Sequence, residues 1–263
     1  MIREIEIDSS CDGLKSYEYP CENPKAIVIL IHGAGEHFQI YEGAADRFRK
    51  YGIDLMGMDL RGHGNSPGVR GHCAPREAVL KDIDCLITYA ENEYPKVPVV
   101  LYGFSLGGNI VLDYRARGNL NSEIDKYVVV SPWIKLVKGI PKPLVKMLKG
   151  MSKRVPRMCL NPGFDTDDDP LLINRISLET TIDGLEIGEA VYKGTWPSFG
   201  QGHETPMLLL HGDKDRMCSV EGSRAVSRHD KNCKYIELEG IYHDAHNGGD
   251  EITDLIAEWI TEV

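Results

Sequence analysis

A serine sits among glycines in Gly103-Phe104-Ser105-Leu106-Gly107, with a strand-like run, Val97–Tyr102, before it and a helix-spaced segment, Leu106–Arg117, after it. A serine hydroxyl is a poor nucleophile near neutral pH, so such a pattern carries chemistry only where the backbone presents the hydroxyl and a base takes its proton. The strand, turn and helix order supplies the presentation. A sharp turn strains the backbone at the serine, and the glycines remove side chains that would collide there. The competing reading, a glycine-rich turn holding an incidental serine, does not account for the flanking pattern.

The base and the group that orients it follow in chain order, an acid and then a histidine, each at the end of a later strand. Leu208–Arg216 supplies the acid, and spacing alone leaves Asp213 and Asp215 both open. His243 and His246 both lie beyond the last strand-like run; His243, nearer the strand end, is the expected base for Ser105. Acyl transfer also needs donors aimed at the oxygen that becomes negative, and loss of one typically costs about 2.7 to 4 kcal/mol of transition-state stabilisation. The backbone N–H of Leu106, next to the nucleophile, is one expected donor. Ala34, within His32-Gly33-Ala34-Gly35 after an early apolar run, is the other.

Positioning these groups requires a sheet. Short runs rich in Val, Ile and Leu recur at Ala26–Ile31, Ile53–Met58, Val97–Tyr102, Lys126–Val130, Met207–Leu210 and Lys234–Leu238. Runs apolar on both faces suit parallel strands covered by helices on each side. Helical spacing at Tyr41–Tyr51, Pro75–Tyr94, Leu106–Arg117 and Gly249–Ile260 completes an α/β alternation. The N-terminal Met1–Asp8, alternately apolar and charged, reads as a half-buried strand. The rhythm breaks between Pro132 and about Pro206, which predicts a core of 1–131 and 206–263 with an inserted cap over 132–205. Within it, Lys135–Arg157 is basic and has the spacing of one or two amphipathic helices, read first as a lid packed on the core and second as a superficial contact with membrane or micelle. The Asp165–Asp169 run lacks the ligand spacing of a calcium loop and reads as solvated.

The net charge of −10 argues against nucleic acid, which needs a basic face. No stretch is apolar for long enough to span a bilayer, and the N-terminus lacks a signal-peptide pattern, which predicts a cytoplasmic enzyme. An odd count of seven cysteines in a chain this large predicts reduced thiols, and with no C-x-x-C pair, no structural zinc. Neither metal nor organic cofactor is expected, because nucleophile, base, acid and oxyanion donors account for the chemistry. The expected partner is a small-molecule ester.

These residues resemble the monoacylglycerol lipase and lysophospholipase branch of the α/β-hydrolase fold. The resemblance rests on His32-Gly33-Ala34-Gly35-Glu36-His37, Asp59–Ser66, Gly103–Gly108, Gly212–Cys218 and Glu239–His246, and covers most of the chain outside the cap. It implies a mostly parallel sheet flanked by helices with a helical cap, Asp215 as the acid, His243 as the base, and ester cleavage through an acyl-serine. It also implies that Glu36 and His246 help hold the glycerol hydroxyls, and that Asp59–Ser66 is a structural loop. The chain departs from the family at Ile40, where the lipases carry an arginine before the tyrosine. The alternatives are an esterase for short-chain or aromatic esters, an amidase or aminopeptidase on the same scaffold, and a non-catalytic binding protein, which would need neither Ser105 nor His243. Haloalkane dehalogenases and epoxide hydrolases place an aspartate where Ser105 stands.

Overall fold

Alternate residues of the central strands feed two separate cores. Ile27, Ile29 and Ile31 point into one apolar layer, and Val28 and Leu30 into the other. This two-sided burial is why the runs contain almost no polar residue. The structure, a computed structural model, describes residues 1–7, 13–163, 169–196, 204–245 and 249–262.

The strands are β1 (Arg3–Ile5), β2 (Ser16–Tyr19), β3 (Ala26–Ile31), β4 (Ile53–Met58), β5 (Val99–Phe104), β6 (Lys126–Val130), β7 (Cys159–Leu160), β8 (Ile176–Ser177), β9 (Met207–Gly212) and β10 (Cys233–Leu238). The helices are α1 (Glu42–Arg49), α2 (Arg76–Glu93), α3 (Leu106–Arg117), α4 (Lys142–Ser152), α5 (Leu178–Lys193), α6 (Val220–His229) and α7 (Asp250–Thr261). Eight strands form one sheet in the order β1-β2-β4-β3-β5-β6-β9-β10, parallel from β4 to β10 and antiparallel at the β1–β2–β4 edge. One face packs on Val79, Ile83 and Leu86 of α2, Ile110 of α3 and Val191 of α5. The other packs on Ala45 and Phe48 of α1 and Ile252, Ile256 and Trp259 of α7.

Several elements differ from expectation. The first strand is only Arg3–Ile5, with Ile5 turned inward and Arg3 and Glu4 outward. β5 starts at Val99 because Pro98 has no N–H to give a ladder; its carbonyl still accepts from Ile27 N at 2.8 Å. Ser16–Tyr19 gives no apolar signal, yet β2 is wholly buried. Its Glu18 is accommodated there by Arg3 Nε at 2.5 Å and by the Tyr94 hydroxyl. The expectation of reduced thiols holds for Cys21, Cys73, Cys159, Cys218 and Cys233 but not for Cys85, which is in a disulfide. Cys11 lies outside the described residues.

Between β6 and β9 the chain forms α4, the two-stranded β7–β8 ribbon and α5. α5 packs on α3 and α6 and carries α4 on its other side. Its close seating depends on Gly188, where an added Cβ would lie 2.4 Å from the Ile134 carbonyl oxygen. Asn109 of α3 donates through Nδ2 to the carbonyls of Trp133 and Gly184, at 2.8 and 3.1 Å, so one buried side chain fastens α5 to the helix that follows Ser105. α4 buries only Leu148 and leaves Leu144 and Met147 exposed, beside Lys142, Lys146 and Lys149.

Candidate active site

Ser105 follows β5 and caps α3 with φ 51° and ψ −112°, a left-handed conformation that an L-residue adopts only when its surroundings enforce it. The enforcement is visible. Ser105 N donates to Val130 O at 3.0 Å, and Ser105 O accepts from Trp133 N at 2.9 Å and Asn109 N at 3.1 Å. Glycine is required on either side of this turn: a Cβ on Gly107 would lie 1.9 Å from Ile31 O, and one on Gly103 would lie 2.4 Å from Gly107 O. β3, β5 and α3 therefore touch backbone to backbone beneath the serine.

The Ser105 hydroxyl donates to His243 Nε2 at 3.0 Å, and His243 Nδ1 donates to Asp215 Oδ2 at 2.6 Å. The second bond assigns the proton to Nδ1, leaving the Nε2 lone pair facing Ser105. Of the two carboxylates left open by spacing, Asp215 is the one joined to His243. Asp213 turns away and accepts from Gly240 N at 2.6 Å and Lys214 Nζ at 3.0 Å. Asp215 follows β9 in a turn whose N–H groups converge on it: Met217 N and Cys218 N donate to Oδ1 at 2.7 and 2.9 Å. Burial on its own would raise this carboxyl, but hydrogen bonds from His211 and His243 and these N–H groups hold it well below the usual carboxylate range.

His211 had no expected role. Its Nε2 lies 3.1 Å from Asp215 Oδ2, and Ser223 Oγ meets its Nδ1 at 2.7 Å. It thus braces the same Asp215 oxygen that receives His243. A histidine ending a strand four residues before the acid is the signal that would have found it.

The loop after β3 is fixed from several sides. His32 donates through Nδ1 to Gly33 O at 2.8 Å and accepts at Nε2 from Leu60 N at 3.0 Å. Burial lowers its pKa to about 4, so it is a neutral ring. Glu36 Oε2 accepts from Gly33 N at 2.7 Å and the Tyr41 hydroxyl at 2.8 Å. Burial raises Glu36 to about 7 against the opposing pull of those two bonds. Below the loop, Asp59 receives Phe38 N and Asn65 N, both at 2.8 Å, and its carbonyl takes the Ser66 hydroxyl at 2.5 Å. Among the described residues, neither Ala34 N nor Leu106 N has an acceptor.

A cleft of about 550 Å³ opens above Ser105 and His243. Its lining includes Glu36 and Asp244 and the apolar Ile40, Phe104, Leu172, Ile173 and Met217, with Ala34 beside them. Ile40 adds apolar surface to the cleft. His246 lies outside the described residues. Among the described residues, no group of three or more histidine, cysteine or acidic side chains is arranged to hold a metal.

The sequence model of the serine aminopeptidase S33 hydrolases matches residues 22–250. The chain belongs to this family. Among relatives of this S33 hydrolase, it is 28% identical over 256 residues to a monoacylglycerol lipase of Mycolicibacterium smegmatis, covering 92% of this chain and 90% of that one. It is 27% identical over 261 residues to the human monoglyceride lipase, covering 91% and 82%. The crystal structure of a monoacylglycerol lipase from Paleococcus ferrophilus superposes with a TM-score of 0.81 at 28% identity, over 94% of this chain and 98% of that one. The strand order, the helices on both faces and this likeness make the fold that of the α/β hydrolases.

Proposed function

We propose that this S33 hydrolase cleaves carboxylic esters of the monoacylglycerol type, with Ser105 as nucleophile, His243 as base and Asp215 as the acid that orients it. The observation that carries the reading is the Ser105–His243–Asp215 hydrogen-bond chain at the floor of a largely apolar cleft. The relatives named as monoacylglycerol and monoglyceride lipases supply the substrate class.

His243 Nε2 takes the proton as Ser105 Oγ attacks the ester carbonyl. Asp215 remains ionised and stabilises the imidazolium. The carbonyl oxygen, now negative, takes hydrogen bonds from Ala34 N–H and Leu106 N–H. Collapse of this intermediate breaks the bond to the glycerol oxygen, which receives the proton from His243 and leaves as the alcohol. Water then repeats the sequence on the acyl-Ser105, releasing the fatty acid and restoring the serine. We place the acyl chain against Leu172, Ile173 and Met217, and the glycerol near Glu36, with His246 as a second contact for its hydroxyls.

We read 132–205 as the cap. Its α4, with Leu144 and Met147 exposed among lysines, supports superficial docking on an anionic micelle or membrane. Among the described residues no helix is long and apolar enough to cross a membrane. The free thiols support placement in the cytoplasm, against which the Cys85 disulfide stands.

The test is hydrolysis of an acyl-length series of p-nitrophenyl esters beside monoacylglycerols, with Ser105→Ala as the blank. A peak at long chains with efficient monoacylglycerol cleavage is expected. Activity confined to short or aromatic esters would sink the lipid assignment and leave a general esterase.

A further inference from the structure

Leu172 and Ile173 form a wall of the cleft, yet they belong to the insertion and lie in neither helix nor strand. Such a segment has no ladder of its own, so its position depends on its tethers. Two of them land on the loop after β3: Ile173 N donates to Gly35 O at 2.8 Å, and His37 Nε2 meets Asp169 Oδ2 at 2.9 Å. We propose that His37 and Asp169 form a latch that positions the Leu172–Ile173 wall, and through it sets the preference for long acyl chains. This inference rests on the acyl-ester reading of the cleft.

The two sides of the latch are unequal. The loop bearing His37 is fixed without Asp169, by His32 between Gly33 O and Leu60 N, by Glu36 on Gly33 N, and by Asp59 on Phe38 N. The wall is held by a short set of bonds: besides the two above, Leu172 N donates to Asp169 O at 3.2 Å, Arg70 Nη2 donates to Leu171 O at 2.9 Å, and Ser177 N donates to Gly71 O at 2.9 Å further along. Asp169 connects the two sides through one carboxylate. Its Oδ1 accepts from Leu171 N at 2.8 Å, closing the turn that leads into the wall, while Oδ2 faces His37. The Leu171 N–H first, and then His37, keep this carboxyl below its ordinary range, so it meets His37 as an anion.

His37 itself indicates a dedicated contact. Its side chain is only 4% exposed, and among the described residues its Nδ1 has no hydrogen-bond partner. A ring buried for packing alone would be better made of carbon, because an unmet buried nitrogen is unfavourable. The histidine is explained by what Nε2 does. Opening the latch therefore frees the wall and leaves the oxyanion loop where it is.

The experiment compares Asp169→Ala, His37→Gln and the double variant on a long-chain monoacylglycerol and on p-nitrophenyl acetate, whose acyl group is too short to reach the wall. Each single variant is expected to raise KM for the long substrate roughly tenfold, as loss of one charge-assisted hydrogen bond would. Both kinetic constants for the acetate should stay within about twofold, and the double variant should be no worse than either single one. Asp169→Asn, which keeps an acceptor for His37, should recover part of the loss. Equal losses on both substrates would assign the pair to general folding, and no loss on either, or additive losses, would abolish the latch. Hydrogen exchange supplies a readout independent of turnover: Asp169→Ala should speed exchange at Leu171–Ile173 and leave Gly33–Phe38 unchanged. Absence of ester turnover in the parent enzyme would sink the acyl-ester reading, while unchanged exchange at Leu171–Ile173 would sink the latch.

Discussion

The floor of the cleft and its roof are built by different means. On the floor, Ser105, Asp215 and the Gly33–Glu36 loop hang from the ends of parallel strands, and each receives two or more hydrogen bonds from backbone or buried side chains. On the roof, α4 buries a single residue and the 169–173 segment relies on a few tethers. Position is enforced where the proposed reaction moves charge and left loose where the proposed acyl chain is accommodated. Enforcement has its own cost: Ser105 is held at φ 51° and the Glu36 carboxyl is kept from water.

The largest break in this contrast comes from Ser105→Ala. It should lower ester turnover roughly 10⁵- to 10⁶-fold while leaving the melting temperature unchanged or raised, and a serine-directed phosphonate should no longer label the protein. Next is the carboxylate pair. Asp215→Asn should lower kcat about 10⁴-fold, whereas Asp213→Asn should stay within about twofold in the same assay; the reverse ranking would overturn the assignment.

Glu36 sharpens the contrast by stability rather than rate. Its folded pKa, about 7, lies above the ordinary 4.5, so the folded state holds the proton more tightly than the unfolded chain. Stability from this group is complete below 4.5 and is lost as pH rises through about 7. Glu36→Gln keeps an acceptor for Gly33 N and Tyr41 and removes the penalty. It should gain about 2 kcal/mol at pH 8, and denaturant titration should show the gain vanish toward pH 4. The smallest effect belongs to the roof. Leu144→Ser with Met147→Ser should change stability by less than about 0.5 kcal/mol and leave soluble-ester turnover alone, while reducing turnover several-fold on anionic micelles. Loss on soluble ester as well would contradict the division.

The same division governs what could be read from sequence. β3, β4 and β9 were legible because burial on both faces leaves an unbroken apolar run. β2 was not, because Ser16–Tyr19 is polar and its Glu18 is tolerated only through Arg3, thirteen residues before Ser16, and Tyr94 on another element. Ser105 and His243 announce themselves by place, at a glycine turn and after a last strand. The choice of Asp215 over Asp213 rests on which way a turn directs its N–H groups, something spacing does not encode and the family resemblance supplied. His211 braces the acid locally, whereas His37 finds Asp169 across 132 residues. No local pattern marks such a pair.

The segment that follows β6 is fastened to Ser105 and to the turn that bears Asp215. Trp133 N donates to Ser105 O, Val137 N to Met217 O, and Ser219 N to Lys135 O, with Leu136 bridged to Cys218. The stem of the roof is thus sewn both to Ser105, the proposed nucleophile, and to the turn that carries Asp215. A cap that swings would pivot beyond Val137, because a pivot nearer β6 breaks the bonds that join this stem to Ser105, Met217 or Ser219. For exchange of acyl preference between relatives, the natural seam therefore runs after Val137, and a graft cut at Pro132 would carry part of the catalytic floor away with the roof.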